Sequence, residues 1–294
     1  MDTNLLELFE KFNSEDRCRE LLESLRFPGG PCCIRCGSVR VGRITTRNQI
    51  QCLDCHYQFT ATAGTVFHDS HLPLWKWFLA VYLMCDSKKG ISANQLGRMI
   101  GVSYKTAWYL CHRIREAMKC DESQKLTGTI EADETFVGGV YDKRRKRVQF
   151  EKPCVVGVIQ RGGPVRARKI QSRGARAIAP FIQQSVEPGA ALMTDDYAGY
   201  RKIGKKYEHD SVNHSHFEYV RGNTHTNSIE NFWSLFKRGL VGSFHKVSEK
   251  HLDRYLDEFT YRFNGRKDDL LFPNTLRNLV NGKALPFEKL TKTA

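Results

Sequence analysis

The sequence HTNSIENFWSLFK at residues 225–237 has the spacing of a helix with one polar and one apolar face. In a helix that turns about 100° per residue, Asn227, Glu230 and Lys237 share one face. The neighbouring stripe carries Phe232 and Phe236, an apolar pair at i and i+4 that can be buried. The segment therefore predicts a helix that packs on a core while presenting an amide, a carboxylate and an ammonium group.

Two aspartates upstream lie at the polar ends of short apolar runs. The run GTIEAD ends at Asp133, and the run ALMTD ends at Asp195. Each run has the length and composition of a buried strand, and catalytic carboxylates are often found at such strand ends. Two strand acids and one helix acid are the ligands that a pair of divalent metal ions needs for phosphoryl transfer.

The order of the predicted elements extends this pattern. After the first acidic strand come a hairpin over 153–171 with the turn RGGP, a helix over 175–184 and the second acidic strand. The helix that carries Glu230 follows. The order β, β, β, α, β and helix predicts an α/β domain of the RNase H-like class. In such a domain, strands one and four bring their acids together at the carboxyl ends of the sheet.

The candidate site residues have distinct expected roles. Asp133 and Asp195 are predicted to ligate two Mg²⁺ ions, and Glu230 is predicted to ligate the second ion. Lys237 lies two helical turns beyond Glu230 and can reach a DNA phosphate from the same face. Asn227, one turn before Glu230, can hydrogen-bond a metal-bound water or replace the glutamate as ligand. The third ligand position therefore stays open between Glu230 and Asn227.

Three further acids compete with this assignment, namely Glu131, Glu134 and Asp196. Alternation along a strand directs Glu131 to the same side as Asp133, so Glu131 is a serious alternative for the first acid. Asp196 follows Asp195 directly and is expected to point away.

Near the N-terminus, two CxxC pairs flank a segment with the pattern of a hairpin. Such pairs supply four soft thiolates to a tetrahedral ion, as in a structural zinc ribbon. The predicted Zn²⁺ ligands are Cys33, Cys36, Cys52 and Cys55. Cys32 competes with Cys33, and His56 competes with Cys55. A module of this size buries little core, so the metal is expected to supply its folding energy. Whether the ribbon binds DNA or protein stays open.

Residues 91–118 predict a helix-turn-helix. Ser92 is a candidate N-cap for a first helix that ends at Ile100, Gly101 is the turn, and Ser103 is the cap of a second helix. Base edges or phosphates would be contacted at the start of that second helix. The predicted DNA-binding residues there are Ser103, Tyr104, Lys105 and Thr106. Helical hairpins also occur in proteins that never contact DNA, but the zinc ribbon and the basic charge favour DNA here.

The chain is strongly basic, with a net charge of +14 and a pI near 9.4. Five consecutive cations follow the first acidic strand, where a DNA backbone would have to lie. They are Lys143, Arg144, Arg145, Lys146 and Arg147. Nucleic acid is therefore the favoured partner, well ahead of an acidic membrane surface.

The composition predicts a soluble, intracellular protein with reduced cysteines. The acidic start MDTNLLELFEKF lacks the pattern of a signal peptide, and the longest apolar stretch, 72–85, is too short to span a bilayer. A length of 294 residues suits two or three domains. We expect a helical lead-in at 1–27, a zinc ribbon at 28–62, a helix-turn-helix at 70–120, a catalytic domain at 127–248, and a helical extension at 249–294 that packs against the catalytic domain.

Together these motifs resemble DDE insertion-sequence transposases of the ISXO2-like subgroup, which has an N-terminal zinc ribbon, a helix-turn-helix and an RNase H-like catalytic domain. The matching stretches are CCIRCGS, CLDC, EADETFVGG, MTDDYAGY, HTNSIENFWSLFKRGLVGSFHKVS and YLDEFTYRFNGR. By motif, Asp133 and Asp195 match the first two acids, and Lys237 matches the trailing lysine. Members of this subgroup can carry Asn in place of Glu at the third position, whereas Glu230 has the offset to Lys237 that the E-to-K pattern requires.

The resemblance also implies a reaction and partners. The reaction is cutting at transposon ends and strand transfer into target DNA, with Mg²⁺ or Mn²⁺ and without a covalent protein–DNA intermediate. The partners are double-stranded DNA, as terminal inverted repeats and as target, and a homodimer or larger assembly is expected because two ends must be paired. The implied location is the cytoplasm of a prokaryote, in association with the nucleoid, with no membrane partner.

Two other classes of protein fit parts of the sequence. A DNA-binding regulator with a zinc ribbon, a helix-turn-helix and an inactive RNase H-like domain would bind DNA without metal-dependent nicking. The intact carboxylates argue against it. A structure-selective nuclease would use the same carboxylate chemistry, but it does not need an N-terminal DNA reader. The transposase hypothesis accounts for both halves of the chain.

Overall fold

The computed structural model describes residues 4–138, 141–142, 147–148, 152–201, 203–213 and 216–292. These residues form two compact units. The first unit contains the described residues up to 118 together with those from 268 onward, and the second spans 119–267. The zinc ribbon and the helix-turn-helix therefore belong to the first unit, and the candidate catalytic acids belong to the second.

The first unit opens with two helices, α1 (Leu5–Phe12) and α2 (Glu15–Arg26). The predicted helical lead-in is interrupted at Ser14, whose hydroxyl accepts a hydrogen bond from the Arg17 N–H and caps α2. A three-stranded antiparallel sheet follows, made of β1 (Val41–Ile44), β2 (Gln49–Cys52) and β3 (Gln58–Phe59). This sheet contains the hairpin expected between the two CxxC pairs.

Three helices continue this unit, α3 (Leu74–Asp86), α4 (Ala93–Ile100) and α5 (Tyr104–Ala117). The caps are those expected from sequence, because Ser92 accepts the Gln95 N–H and Ser103 accepts the Thr106 N–H. Gly101 ends α4 with a φ of 64°, a left-handed conformation that glycine adopts at little cost. Helices α4 and α5 thus form the expected helix-turn-helix pair.

The second unit contains a five-stranded mixed sheet and a separate two-stranded antiparallel sheet. In chain order its strands are β4 (Thr129–Phe136), β5 (Tyr141–Asp142), β6 (Arg147–Val148), β7 (Cys154–Gln160), β8 (Val165–Ile170), β9 (Ala191–Asp195) and β10 (Glu208–Val212). The large sheet has the order β10-β9-β4-β7-β8, and β5 pairs with β6. Strands β4, β7 and β8 are antiparallel neighbours, whereas β9 and β10 run parallel to β4. This RNase H-like arrangement confirms the predicted fold class and adds β10, which was not predicted.

Helices cover both faces of the sheet. They are α6 (Ala175–Ser185), α7 (Ala198–Arg201), α8 (Asn227–Gly239) and α9 (Leu252–Asn264). Alternate residues of β7 enter two separate cores, since Val156 and Val158 pack with α6, whereas Val155 and Ile159 pack with α8 and α9. Strand β7 is therefore buried on both sides, and α8 lies on the face opposite to α6.

The last part of the chain is divided between the units. Helix α9 packs on β8 in the second unit, whereas α10 (Leu271–Asn281) packs on α2 and α3 in the first, which also contains α11 (Phe287–Thr291). The expectation that all of 249–294 packs against the catalytic domain does not hold from residue 268 onward. Pro273 lies in the first turn of α10, where its missing N–H breaks no hydrogen bond within the helix.

Gly157 lies at a point of β7 where a side chain has no room. It pairs with Asp133 across β4 and β7, and an ideal Cβ would lie 2.6 Å from Cζ2 of the buried Trp233. Gly157→Ala is expected to destabilise the second unit by about 1–3 kcal/mol, because the indole ring and its helix must shift. Urea unfolding measures this change. The matched control is Gly242→Ala, whose Cβ meets no described heavy atom within 4 Å. Equal stability of the two variants would contradict the packing argument.

Candidate active site and zinc centre

Asp133 and Asp195 lie on two adjacent parallel strands, Asp195 at the carboxyl end of β9 and Asp133 just past the last residue of β4 that pairs with β9. Strands β4 and β9 are paired in register as far as Glu131 and Met193. The same offset carried two residues further aligns Asp133 with Asp195, and strand alternation directs both to the face that α8 covers. The ladder between β4 and β9 ends at Glu131 and Met193, two residues before the acids. The structure thus brings these two candidate residues together.

Glu134 provides a third carboxylate at this point. One carboxylate oxygen from each of Asp133, Glu134 and Asp195 lies within 4.8 Å of the others. Glu134 accepts hydrogen bonds from Nε of Arg173 and from the Tyr200 hydroxyl, the latter at 2.6 Å. From sequence, Glu134 is expected only as a competitor of the assigned acids. Alternation along β4, which stays paired with β7 as far as Phe136, places Glu134 and Asp133 on opposite faces, yet their carboxylate oxygens meet beside Asp195 past the end of the β4–β9 ladder. We call these three residues the acidic cluster.

Arg173 brings positive charge to the acidic cluster. Its guanidinium lies 3.7 Å from Oδ2 of Asp195, and it stacks over the Tyr197 ring at 3.9 Å from the centroid. The backbone N–H of Tyr197 donates to Oδ1 of Asp195 at 3.2 Å. Sequence reasoning missed both residues, because no spacing pattern links an arginine before α6 to acids on β4 and β9. Their proximity arises only when the sheet has formed.

The acidic cluster holds more negative charge than Arg173 alone can offset. Burial, together with the charges of Glu134 and Asp195, raises the pKa of Asp133 to about 8. Glu230 contributes to the same rise, so its carboxylate lies within the field of the acidic cluster. A divalent cation would relieve this repulsion, and carboxylate oxygens are the hard ligands that Mg²⁺ and Mn²⁺ prefer. The donor atoms and their charge therefore fit such an ion.

Glu131 binds the N-terminus of α8 and is not among the clustered carboxylates of the described residues. Its Oε2 accepts the backbone N–H groups of Ser228 at 2.7 Å and Ile229 at 3.1 Å. Nε of Arg161 donates to its Oε1 at 2.7 Å, and Nδ1 of His225 lies 3.2 Å from the same oxygen without hydrogen-bond alignment. A fully buried carboxylate held in this way is a structural anchor. The serious alternative for the first acid is thus engaged elsewhere.

Helix α8 presents the other candidate residues. Asn227, Glu230 and Lys237 are exposed, while Phe232 and Phe236 are buried, as the amphipathic pattern indicated. Among the described residues, Glu230 does not belong to the group of carboxylates whose oxygens lie within 4.8 Å of one another. The choice between Asn227 and Glu230 as third metal ligand stays a prediction.

The four cysteines of the CxxC pairs converge in the first unit, with one sulfur atom from each within 4.8 Å of the others. Sγ of Cys33 lies 3.6 Å from Sγ of Cys55, and Sγ of Cys36 lies 3.5 Å from Sγ of Cys52. Four thiolates at about 2.3 Å from a tetrahedral zinc ion lie about 3.8 Å apart. These two sulfur–sulfur distances are within a few tenths of an ångström of that value. Among the described residues, the clustered ligands do not include the competitors Cys32 and His56.

The two CxxC pairs share one local conformation. Cys33 and Cys52 each accept a backbone N–H at sulfur, at 3.4 and 3.5 Å. The residues that follow the two pairs, Gly37 and His56, have φ values of 77° and 59°. The left-handed residue folds each turn around its ligands, and the N–H groups favour the charged thiolate that binds metal. Both turns therefore stabilise the thiolate form that a metal ion requires.

Two family models and one relative match the chain. Residues 125–264 match the ISXO2-like transposase domain, and residues 13–58 match the transposase zinc-ribbon domain. The "uncharacterized protein in transposable element ISH50" of Halobacterium salinarum is 30% identical over 274 residues, which cover 85% of this chain and 91% of that protein. This chain belongs to the ISXO2-like transposase family. The family suggested by the sequence motifs is thus confirmed.

The matched ranges of this transposase coincide with the two sites. The first range contains the acidic cluster and α8, and the second contains all four clustered cysteines. The crystal structure of a pre-cleavage Mos1 transpososome aligns with a TM-score of 0.24 and 10% identity, over 71% of this chain and 80% of that one. A likeness this weak says nothing further about the transposase.

The candidate DNA-binding residues of the helix-turn-helix are all exposed at the start of α5, namely Ser103, Tyr104, Lys105 and Thr106. The Ser103 hydroxyl is already used to cap the helix, and Nζ of Lys105 lies 5.2 Å from the ring centroid of Phe287. The Ser103 hydroxyl also pairs with that of Thr106 at 2.9 Å, so Tyr104 is the best placed of the four for a contact outside the chain.

The basic run after β4 is only partly described. Lys143, Arg144, Arg145 and Lys146 lie outside the described residues, and Arg147 begins β6. Their role in DNA binding stays a prediction.

Within the part of the transposase that the structure describes, no helix has the length and apolar character needed to cross a bilayer.

Proposed function

We propose that this transposase cleaves the ends of its transposable element and joins them to target DNA by two-metal-ion phosphodiester chemistry. The observation that carries the proposal is the clustering of the carboxylates of Asp133, Glu134 and Asp195 where the adjacent parallel strands β4 and β9 cease to pair. When bound, two divalent ions would lower the pKa of the attacking water or 3′-hydroxyl and stabilise the leaving oxygen.

The chain's own residues would hold and orient the reacting groups. Asp133 and Asp195 would supply the carboxylates that keep the ions at the strand ends. Glu230 would complete the ligands from α8, with Asn227 as the alternative. Lys237, further along the exposed face of that helix, would bind a backbone phosphate and align the scissile bond.

We assign recognition of the element ends to the first unit. The exposed start of α5 has the position from which a helix-turn-helix contacts DNA, and the net charge of +14 favours a polyanionic partner. A zinc ion held by the four cysteines would keep the ribbon folded beside it in the chain. Because two ends must be brought together, we expect a homodimer or larger assembly on DNA.

The proposal is tested with labelled linear DNA that carries the element's own ends, incubated with Mg²⁺ or Mn²⁺. Nicking at the ends followed by joining to a second DNA supports it. Tight binding without cleavage under either ion would favour a DNA-binding regulator. Cleavage that ignores the end sequence and yields no joined product would favour a structure-selective nuclease.

The same assay decides the third ligand. Glu230→Gln is expected to slow nicking on the order of 100-fold, because it removes a charged ligand and leaves the helix intact. Asn227→Ala, on the same exposed face, is expected to cost about 10-fold or less, as befits a group that only hydrogen-bonds a metal-bound water. The opposite ranking of the two variants would give the third position to Asn227.

A further inference from the structure

Thr226 precedes α8 in the N-cap position but does not cap it. A threonine there normally has an extended backbone and accepts a hydrogen bond from the second or third helical N–H. Thr226 has φ −118° and ψ 17°, and its side chain makes no cap hydrogen bond with the described residues. Its hydroxyl instead donates to Oε1 of Glu230 at 2.6 Å. The side chain therefore acts on a residue one turn into the helix.

Glu131 does the capping in its place. The N–H groups of Ser228 and Ile229, the second and third residues of α8, both donate to Oε2 of Glu131. The Ser228 hydroxyl also donates to Oε1, at 3.0 Å. These N–H groups have no partner inside a helix, and here a carboxylate from β4 satisfies them. The hydroxyl of Thr226 is consequently not required at the helix end.

Arg161 holds the segment that leads into α8. Its Nε donates to Glu131, and its terminal nitrogens donate to the carbonyl oxygens of Asn223 at 2.8 Å and His225 at 3.1 Å. Arg161 therefore ties the segment before Thr226 to the same buried carboxylate that caps the helix. Thr226 itself is buried, with 1% of its surface exposed.

We propose that Thr226 is a positioning residue for the third metal ligand, and that Glu131 releases it for this role by capping α8. An exposed glutamate has several rotamers, and fixing one of them costs conformational entropy at the moment of metal binding. The hydroxyl bond restricts Glu230 before any metal arrives, as groups behind a ligating carboxylate commonly do. This inference rests on the proposed role of Glu230 as metal ligand.

The test compares wild type with Thr226→Val and Thr226→Ser. Valine keeps the shape of threonine and removes the hydroxyl, whereas serine keeps the hydroxyl. Mn²⁺ binding is measured by electron paramagnetic resonance, and the Mg²⁺ concentration for half-maximal nicking is measured alongside. Thr226→Val is expected to weaken the weaker Mn²⁺ site about 10-fold and to raise the half-maximal Mg²⁺ concentration in parallel, whereas Thr226→Ser restores both. A lower melting temperature with unchanged Mn²⁺ affinity would overturn the positioning role.

A double-mutant cycle separates this inference from the function on which it rests. If Glu230→Gln leaves Mn²⁺ binding unchanged, the proposed role of Glu230 fails. If Glu230→Gln weakens binding but Thr226→Val does not, only the positioning role fails. The expected result is that Thr226→Val has no further effect in the Glu230→Gln background, because the hydroxyl acts through that carboxylate alone.

Discussion

Asp195→Asn is expected to reduce both nicking and strand transfer on the order of 1000-fold, since each metal ion contributes several kcal/mol to the transition state. Asparagine keeps the shape of the side chain and can still accept the Tyr197 N–H, but it removes the charge that holds a cation. It also removes one of the charges that raise the pKa of Asp133, so the folded unit is not expected to lose stability. Binding of end DNA should persist.

Asp196→Asn is the matched control for this substitution. It makes the same change one residue later, where the carboxylate contacts Arg201 at 3.4 Å and Asn213 at 3.3 Å instead of the acidic cluster. Nicking and joining are followed on labelled DNA, and binding is followed by gel shift. Equal activity of the two variants would mean that the acids are misassigned. Loss of DNA binding in Asp195→Asn alone would mean that this side chain serves binding rather than chemistry.

The parts of the fold that the sequence predicted correctly rest on local signals. The caps Ser92 and Ser103 and the turn at Gly101 lie within a few residues of the helix ends that they define. Helix α8 follows from an apolar stripe of period 3.6, and that stripe does pack on the sheet. The CxxC turns are equally local. In each case, the residues that determine the structure are near neighbours in the chain.

Strand β10 could not be predicted in this way. Its sequence, EHDSV over Glu208–Val212, is mostly polar, and only Val212 is buried. It lies at the edge of the sheet and, among the described strands, pairs only with β9, so it needs no apolar run. Backbone pairing with a parallel neighbour defines this strand, and a side-chain pattern does not record such pairing.

Long-range contacts explain the errors within the site. Alternation correctly directed Glu131 to the α8 side of β4, but its partners Ser228 and Ile229 lie about a hundred positions away in sequence. Nothing near Glu131 distinguishes an anchor for a helix from a metal ligand. Glu134 and Arg173 pose the same problem, because their meeting depends on how β8 leads into α6. The residue types indicated the chemistry, and only the folded chain showed which acids share a site.

Cys52→Ser is expected to abolish zinc binding and to unfold the ribbon over residues 28–62, while the second unit keeps its structure. The hydrophobic cluster of the ribbon contains four buried side chains, namely Cys33, Ile50, Cys52 and Phe59, and two of them are predicted zinc ligands. A core this small cannot offset the entropy of ordering the segment. Zinc binding in comparable modules supplies about 10–16 kcal/mol of apparent free energy, so its loss exceeds any stability that the ribbon can have alone.

Cys32→Ser distinguishes loss of a ligand from loss of any cysteine in this region. It lies next to Cys33 in sequence, but its sulfur is not among the clustered ligand atoms of the described residues. Zinc content is measured by atomic absorption, and limited proteolysis followed by mass spectrometry locates the unfolded segment. Cys32→Ser should keep one zinc per chain and resist cleavage, whereas Cys52→Ser, or wild type treated with a chelator, should be cut between residues 28 and 62. Zinc loss in Cys32→Ser with zinc retention in Cys52→Ser would mean that Cys32, rather than Cys52, is a zinc ligand. Cleavage spread equally over both units would show that the ribbon does not unfold by itself.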